Sequence, residues 1–274
     1  MLMDMPPHRQ AKLATRLASY LVRNPLIGLY TLVLGSLSLA SSHFDRSGRW
    51  QHALARLWSK LILWTCGSPF TVHGLEHLDL SHPAIYAANH SSALDIPVLY
   101  AGLPFQFRIM AKQELFKLPI LGGHLRRSGQ ISIDRTDARA SLRSLSAAAQ
   151  TIRAGMPLVV FPEGGRSTDG HLQPFLGGTF YAAIKAQAPI VPMAIVGAFD
   201  ALPMNTFTIH PTRFELHIGE PISTEGMVSR DMEALSARVH QAMSELFYAH
   251  TQLTTPRPEG EGETAGPAAT KSEA

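Results

Sequence analysis

Apolar and polar positions divide the chain into parts with different periodicities. Residues 1–24 mix basic and apolar side chains, and residues 25–42 carry no charge. Residues 50–64 repeat leucine, isoleucine and tryptophan at helical spacing. From residue 67 onward, short apolar runs typical of strands alternate with longer helical patterns. The pattern therefore predicts a helical N-terminal segment (1–66), followed by an α/β domain (67–253).

The α/β part contains patterns for strands and for longer helices. Strands are predicted at 70–73, 84–88, 107–110, 130–133, 158–161, 190–195 and 213–218. Helices are predicted at 92–101, 139–154, 179–186 and 230–250. Strands that alternate with helices indicate a single domain with a mixed, mostly parallel central sheet covered by helices. Residues 254–274 are rich in Pro, Gly, Glu, Thr and Ala, and we expect this tail to be disordered.

The N-terminal segment has features of a membrane anchor. Residues 1–24 can form an amphipathic helix on a membrane surface. The uncharged run is at the lower length limit for a bilayer core of about 30 Å. Four basic residues lie on each side of the run, so the positive-inside rule predicts no orientation across the membrane. This symmetry favours a half-buried or re-entrant anchor over a helix that spans the bilayer. A cleaved signal peptide is the competing interpretation, but the run begins late and its cleavage site is weak.

The helix predicted over residues 50–64 admits two interpretations. Trp50, Trp58 and Trp64 suit a lipid headgroup region, whereas the same pattern also fits a soluble amphipathic helix packed on the core. The adjacent apolar run favours the membrane interpretation.

Charge and cysteine content narrow the classes of partner. The chain has 274 residues, a formal charge of +3 and a pI near 9.1. This balance suits an anionic membrane surface or a phosphorylated substrate. Nucleic acid is a poor fit, because no long Lys/Arg run with interleaved aromatic residues is present. The lone Cys66 excludes an internal disulfide and is compatible with a reducing compartment.

A histidine and an aspartate follow the strand predicted at 84–88. His90 lies in the turn after the strand, and Asp95 comes five residues later. If Ser91 or Ser92 caps the next helix, Asp95 falls within its first turn and the imidazole can fold back onto the carboxylate. A carboxylate that fixes the tautomer lets the imidazole act as a general base. A lone His near an Asp is also a common surface feature, so this pair needs support from its neighbours.

Two further polar clusters follow predicted strands, where open α/β sheets usually bind ligands. Lys112 follows one strand, and Asp134-Arg135 ends another. The third cluster is the glycine-rich turn at 161–167, Phe-Pro-Glu-Gly-Gly-Arg-Ser, which contains Glu163, Gly164 and Arg166. Guanidinium groups and glycine-rich backbone are well suited to phosphate. Each cluster alone could be a surface ion pair or a tight turn, but together they supply a base, its orienting carboxylate and cations for a phosphate.

These motifs resemble the four ordered blocks of the glycerolipid acyltransferases, specifically the 1-acyl-glycerol-3-phosphate acyltransferase group. The blocks are His90 and Asp95, then 129–135, then 161–167, then Ile190-Val191-Pro192, and the resemblance covers about residues 70–220. It implies that His90 is the general base and that Asp95 orients it. It implies that Lys112, Arg135 and Arg166 hold the phosphate of the acceptor, while Glu163 and Gly164 shape the site.

The resemblance also implies the reaction and its setting. A fatty acyl group would pass directly from an acyl thioester, acyl-CoA or acyl-carrier protein, to 1-acyl-glycerol-3-phosphate (lysophosphatidic acid), giving phosphatidic acid without an acyl-enzyme. No cofactor and no metal are expected. Because the acceptor resides in the bilayer and the donor is cytoplasmic, we expect the protein at the cytoplasmic face of the cell inner membrane.

Two positions depart from the family pattern. Gly165 stands where Thr is common, and Leu176 stands where Lys is frequent. The glycine is compatible with the turn. The missing lysine removes a positive charge near the expected phosphate, which makes another lysophospholipid or another hydroxyl acceptor more plausible.

Other classes of function remain as alternatives. A serine hydrolase using Ser91 or Ser92 lacks a GxSxG elbow, and a metal hydrolase using His90, Asp95 and Glu163 lacks HExxH. A non-catalytic membrane-surface scaffold is suggested weakly by Gly165 and Leu176, whereas the intact motif residues speak against it: His90, Asp95, Glu163 and Arg166. The other histidines have no partner pattern in the sequence and are assigned no role, including His73, His77, His82, His124 and His217.

Overall fold

The computed structural model describes residues 12–134 and 138–254, and a single sheet organises this part of the chain. The sheet order is β1-β7-β6-β2-β5-β3-β4. The strands are β1 Phe70–His73, β2 Ile85–Ala88, β3 Arg108–Lys112, β4 Ile131–Ile133, β5 Leu158–Val160, β6 Ile190–Val196 and β7 Phe214–Ile218. β6, β2, β5, β3 and β4 are parallel, whereas β1 and β7 run antiparallel to them. The mixed, mostly parallel sheet is therefore confirmed, and each predicted strand is present with ends shifted by at most two residues.

The strand order places the carboxyl ends of β2, β5, β3 and β4 side by side. β2 pairs with β5, β5 pairs with β3, and β3 pairs with β4, all in parallel. The three polar clusters in the sequence follow these strands. Because parallel neighbours end at the same edge, the clusters meet along one edge of the sheet.

Helices cover both faces of the sheet. They are α1 Leu13–Ala18, α2 Asn24–Ser41, α3 Arg49–Cys66, α4 Asp95–Gly102, α5 Leu121–Arg127, α6 Ala138–Arg153, α7 Gly178–Ala186, α8 Ala198–Ala201 and α9 Met232–Tyr248. Successive residues of β2 point to opposite faces. Tyr86 joins a core with α3 and α4, while Ile85 joins a second core with α6, α7 and α9.

The helix after β2 departs from the prediction. It was expected from residue 92, but it begins at Asp95 with Leu94 as its N-cap. Capping by the side chain of Ser91 or Ser92 is therefore wrong. The carboxylate of Asp95 instead accepts the backbone N–H groups of both serines, which holds the preceding residues in a turn. The helices predicted at 139–154, 179–186 and 230–250 are confirmed, with ends that differ by up to two residues.

The N-terminal helices form a pair that packs against the sheet domain. Residues Leu13–Ser41 form one continuous run of helix, 29 residues long, which includes a π-helical turn at Ser19–Arg23. The chain then turns at Gly48, whose φ is +77°, and α3 packs beside α2. From α3, the side chains of Ile62, Leu63 and Cys66 enter the core that contains Tyr86.

The outer faces of these N-terminal helices are apolar. The run Leu13–Ser41 is long and apolar enough to cross a membrane by length and composition, and 6% of its most apolar window is buried. Several of the exposed large apolar side chains lie on α2 and α3: Leu29, Leu32, Val33, Leu37, Trp50, Leu57 and Trp64. The structure thus leaves a broad apolar surface on one side of the protein. Residues 1–11 and the predicted tail beyond residue 254 lie outside the described residues.

Candidate active site

His90 and Asp95 form a close pair at the carboxyl end of β2. His90 Nδ1 lies 2.7 Å from Asp95 Oδ2, and the aspartate side chain is fully buried while the histidine side chain is 19% exposed. An ionised carboxylate only accepts hydrogen bonds, so Nδ1 carries the proton and Nε2 carries the lone pair. Nε2 makes no hydrogen bond with the described residues. The imidazole is therefore held in the tautomer that a general base needs.

The segment that carries His90 is anchored to β6 by Asn89. The side-chain amide of Asn89 donates to the Ile195 carbonyl at 3.0 Å, and the Ile195 N–H donates to Asn89 Oδ1 at 2.6 Å. Asn89 is buried, so both bonds are shielded from water. The ring of His90 also stacks on Phe161, with centroids 4.0 Å apart.

Glu163 links the glycine-rich turn to His90. Its Oε1 accepts the backbone N–H of His90 at 2.6 Å, and its Oε2 accepts the backbone N–H of Gln173 at 2.9 Å. Burial raises the pKa of Glu163 to about 8, against the opposing effect of the two amide hydrogen bonds. The carboxyl group is therefore directed at backbone and serves to hold the turn and the histidine together.

The turn closes on His90 from a second side. Gly164 has a φ of +75°, a conformation that favours glycine, and its N–H donates to the Phe161 carbonyl at 3.0 Å. Three residues later, the N–H of Ser167 donates to the His90 carbonyl at 2.7 Å. The backbone N–H and C=O of His90 are thus both bound by the same turn.

Two of the predicted cationic residues lie exposed at this edge of the sheet. Lys112 is the last residue of β3, and Arg166 lies in the turn after β5. Neither makes a hydrogen bond or ion pair with the described residues, so both are free to meet an anion. Arg135, the third predicted cation, lies outside the described residues, two positions beyond the end of β4.

An apolar cavity of about 260 Å³ adjoins the His90–Asp95 segment. Ala93 and Ile96, which flank the aspartate on either side, line it together with α2, α3, α5 and β3. Its other apolar lining residues include Leu34, Leu54, Trp58, Ile109, Leu121 and Leu125. Among the lining residues, Ser38 Oγ and His124 Nδ1 lie 2.6 Å apart, and Trp58 Nε1–H donates to Thr31 Oγ1 at 3.0 Å. Burial lowers the pKa of His124 to about 4, so this histidine is neutral at pH 7.

A second cavity, of about 350 Å³, is lined in part by Phe161, the residue whose ring stacks on His90. Its lining includes Met110, Leu145, Leu176 and Thr179. Leu176 is the residue that occupies the expected position of a lysine, and its side chain is 48% exposed. The wall of this cavity is therefore apolar where the sequence pattern favours a cation.

Sequence reasoning missed several residues that build the site. Asn89 and Ser167 each bond to the backbone of a segment far away in sequence, and the backbone N–H of Gln173 donates to the Glu163 side chain ten residues earlier. The sequence gives one indication of their role, which is that they lie beside or within the recognised motifs. The cavity gave no signal, since its lining comes from several separate elements.

The chain is similar to known acyltransferases. A family model described as Acyltransferase matches residues 69–196. The chain is 31% identical over 195 residues to 1-acyl-sn-glycerol-3-phosphate acyltransferase alpha of Bos taurus, covering 71% of this chain and 68% of that protein. It is 34% identical to 1-acyl-sn-glycerol-3-phosphate acyltransferase of Limnanthes douglasii over 60% of this chain and 58% of the relative.

A solved structure is also similar. The crystal structure of PlsC, the 1-acyl-sn-glycerophosphate (LPA) acyltransferase of Thermotoga maritima, superposes with a TM-score of 0.69 and 26% identity. The match covers 82% of this chain and 95% of that chain. This chain spans about half the length of the plant relatives that it matches, such as 58% of the Limnanthes douglasii protein and 46% of a chloroplastic protein of Brassica napus.

Proposed function

The chain belongs to the acyltransferase family that includes the 1-acyl-sn-glycerol-3-phosphate acyltransferases, and on that basis we propose that it acylates 1-acyl-glycerol-3-phosphate. The acyl group comes from an acyl thioester, acyl-CoA or acyl-carrier protein, and the product is phosphatidic acid. The observation that carries this proposal is the His90–Asp95 pair, in which Nε2 has no hydrogen-bond partner among the described residues. The segment between the two residues contributes Ala93 to the wall of an apolar cavity.

The reaction uses His90 as general base. Nε2 takes the proton of the acceptor hydroxyl while the hydroxyl oxygen attacks the thioester carbonyl. The new C–O bond forms, the C–S bond breaks, and the proton passes from the imidazolium to the departing sulfur. Asp95 stabilises the imidazolium through Nδ1. No protein nucleophile is needed, so no acyl-enzyme forms.

The hydrogen bonds of the neighbouring serines argue against a serine hydrolase. The Ser92 hydroxyl donates to the Leu202 carbonyl at 2.8 Å, and Ser91 and Ser92 both direct their N–H groups at Asp95. Ser92 Oγ is thus bound to the backbone and is not activated by His90.

The acceptor phosphate binds to Lys112, Arg135 and Arg166. The exposure of Lys112 and Arg166 at the same sheet edge as His90 supports this assignment. Glu163 and Gly164 act as positioning residues, because the Glu163 carboxyl group accepts the His90 N–H and the glycine permits the turn. No metal or cofactor takes part in the proposed step.

The cavity beside Ala93 and Ile96 accommodates an acyl chain. Burial of each methylene there contributes about 0.8 kcal/mol. The cavity is bounded by α2 and α3, whose outer faces are apolar. We place these helices in the interface of the inner membrane, at its cytoplasmic face, where a bilayer-resident acceptor reaches the site without extraction into water.

A second acceptor class is supported by one observation. Leu176 presents an apolar side chain in the second cavity, at the position where the family pattern favours a lysine. A site with one fewer cation discriminates less strongly in favour of a phosphomonoester. A lysophospholipid with a different headgroup is therefore the second candidate.

The experiment measures acyl transfer from a labelled long-chain thioester to lysophosphatidic acid. It compares the unmodified protein with His90→Ala and, as a matched control, with His82→Ala, because His82 forms an exposed pair with Asp79 at the same 2.7 Å distance. A panel of other lysophospholipids runs in parallel. Product from the unmodified protein and His82→Ala alone supports the proposal. Product only from another acceptor moves the assignment to the second candidate, and full activity in His90→Ala overturns the mechanism.

A further inference from the structure

Three potential metal-ligating side chains converge on the edge strands β1 and β7. His73 and His217 are neighbours in the parallel register of these strands, and Glu215 lies two residues before His217 on the same face. The ligand atoms of the three side chains all lie within 4.8 Å of one another. His217 Nε2 and Glu215 Oε2 are 2.9 Å apart. β1 is the last strand of the sheet, so the cluster is open to solvent on the side of His73.

The surroundings hold His217 and Glu215 in place. The ring of His250, which follows α9, stacks on His217 with centroids 3.7 Å apart, and His73 stacks on the same ring at 4.7 Å. The nearest cation is Arg213, whose Nη1 lies 3.9 Å from Glu215 Oε1. This contact uses the oxygen that His217 does not, so Oε2 stays directed at the cluster.

We propose that His73, Glu215 and His217 bind one Zn²⁺ ion. Two imidazole nitrogens and one carboxylate oxygen form a donor set that suits Zn²⁺ and leaves a fourth position for water. Ligand distances of about 2.0–2.2 Å in a tetrahedral site place the donor atoms roughly 3.3 Å apart. His217 and Glu215 already lie close to that separation. The exposed His73 can close the remaining distance by a change of side-chain torsion angles.

The hydrogen bond between His217 and Glu215 directs both donor atoms at one place. His217 Nε2 and Glu215 Oε2 lie 2.9 Å apart. Zn²⁺ binding there displaces the proton between the two atoms, and that proton passes to solvent.

The site is separate from the proposed acyl transfer, which uses the ends of β2, β3 and β5. The metal connects the edge strand β1 to β7, and these strands lie far apart in the sequence. Because the unfolded chain does not hold the three ligands together, Zn²⁺ binds the folded state preferentially and stabilises it.

The test uses the full-length protein, carrying a tag without histidine and stripped with a chelator. We expect calorimetric titration with Zn²⁺ to show one saturable site. The titration is run at about pH 7.5, roughly one unit above the ordinary histidine pKa. Co²⁺ used as a probe should give the visible absorption of a tetrahedral complex. We expect His73→Ala to weaken Zn²⁺ binding about 100-fold or more, since even outer-shell partners contribute about 10–100-fold. Zn²⁺ should raise the midpoint of thermal unfolding of the unmodified protein and leave that of His73→Ala unchanged.

Matched variants keep the result interpretable. His73 is exposed at a strand end, so its removal leaves no cavity, whereas His217→Ala removes a buried ring and serves only as a second variant. Glu215→Gln should weaken binding in the same direction. His82→Ala removes another exposed histidine and should bind Zn²⁺ like the unmodified protein. Absence of saturable binding, or binding of equal strength in His73→Ala, would overturn the proposal.

Discussion

The backbone N–H of His90 donates to Glu163 Oε1 at 2.6 Å, across 73 residues of sequence. This bond joins two motifs that follow neighbouring parallel strands. It shows that the glutamate of the glycine-rich turn contacts the histidine through its backbone, while Asp95 contacts the ring. The imidazole is thus held at its Nδ1, at its ring face and at its backbone, and Nε2 has no hydrogen-bond partner among the described residues.

Replacing Asp95 by Asn should lower kcat strongly. An amide can present its NH₂ group to Nδ1, which removes the preference for the productive tautomer and the support for the imidazolium. General-base contributions are typically about 10²–10⁴-fold, so we expect a loss of at least about 100-fold. Steady-state acyl transfer measures it. Asp79→Asn, in the exposed pair with His82, is the control and should stay near the unmodified rate. A rate for Asp95→Asn within about twofold of the unmodified protein would contradict the assigned role.

Stability should fall as the pH rises through the range set by Glu163. The ordinary pKa of 4.5 is raised to about 8 in the folded protein, so the folded state binds more protons between these values. Stability is then greatest below about pH 4.5 and decreases toward pH 8, by about 3 kcal/mol between pH 4.5 and 7 from this group.

The free energy of unfolding by denaturant, measured at several values between about pH 5 and 8.5, tests this dependence. Glu163→Gln cannot ionise, so its stability should change less with pH than that of the unmodified protein. Glu233→Gln, at an exposed position of α9, should keep the unmodified dependence. If the unfolding free energy changed with pH equally in the unmodified protein and in Glu163→Gln, the raised pKa of Glu163 would be ruled out.

Replacing Asn89 by Ala should destabilise the fold. The substitution leaves the buried N–H and C=O of Ile195 without their side-chain partner, at a cost of about 2–4 kcal/mol. Asn24→Ala removes an exposed bond to the Phe207 carbonyl and should cost less than about 1 kcal/mol. Chemical denaturation of both variants makes the comparison. Equal losses would show that the Asn89 bonds contribute no more than a surface contact.

Replacing Gly35 by Ala should alter acyl-chain preference. Gly35 lines the apolar cavity, and a Cβ there would meet Ile120 Cγ2 at 2.6 Å. The Ile120 side chain, which also lines the cavity, or the backbone beside it must therefore shift. We expect longer acyl chains to lose activity relative to shorter ones, by about fourfold for each methylene excluded. Competition between thioesters of different length measures the ratio. Gly28→Ala lies on the same helix with open space around its Cβ and should leave the ratio unchanged. A shift of equal size in both variants would show that the cavity does not determine the acyl-chain preference.

Introducing a cation at Leu176 should favour a phosphate-bearing acceptor. Leu176→Lys places an ammonium group in the second cavity, at the position where the family pattern favours a lysine. We expect KM for lysophosphatidic acid to fall by about three- to tenfold at low salt. Leu75→Lys changes an equally exposed leucine, 46% against 48%, near the edge strand β1 and serves as control. Added salt should reduce the difference. An identical KM in both variants would place the phosphate away from Leu176.

The local pattern of the sequence was enough for much of the fold. Strand positions follow from short apolar runs, and the helix over 138–153 follows from its periodicity and from Gly155, whose φ of +87° ends it. The His90–Asp95 contact was also predictable, because only a turn separates the two residues. These features depend on interactions within a few residues of the chain.

Other features were decided only by the tertiary structure. The sequence wrongly favoured Ser91 or Ser92 as a helix cap, whereas the carboxylate of Asp95 accepts both of their N–H groups. The bond from His90 to Glu163, the apolar cavity and the cluster of His73, Glu215 and His217 carried no signal in the sequence. Each of them joins residues from separate elements, and the order and register of the strands determine which elements become neighbours. Local periodicity specifies which face of a strand is buried, but it does not specify which strand lies beside it.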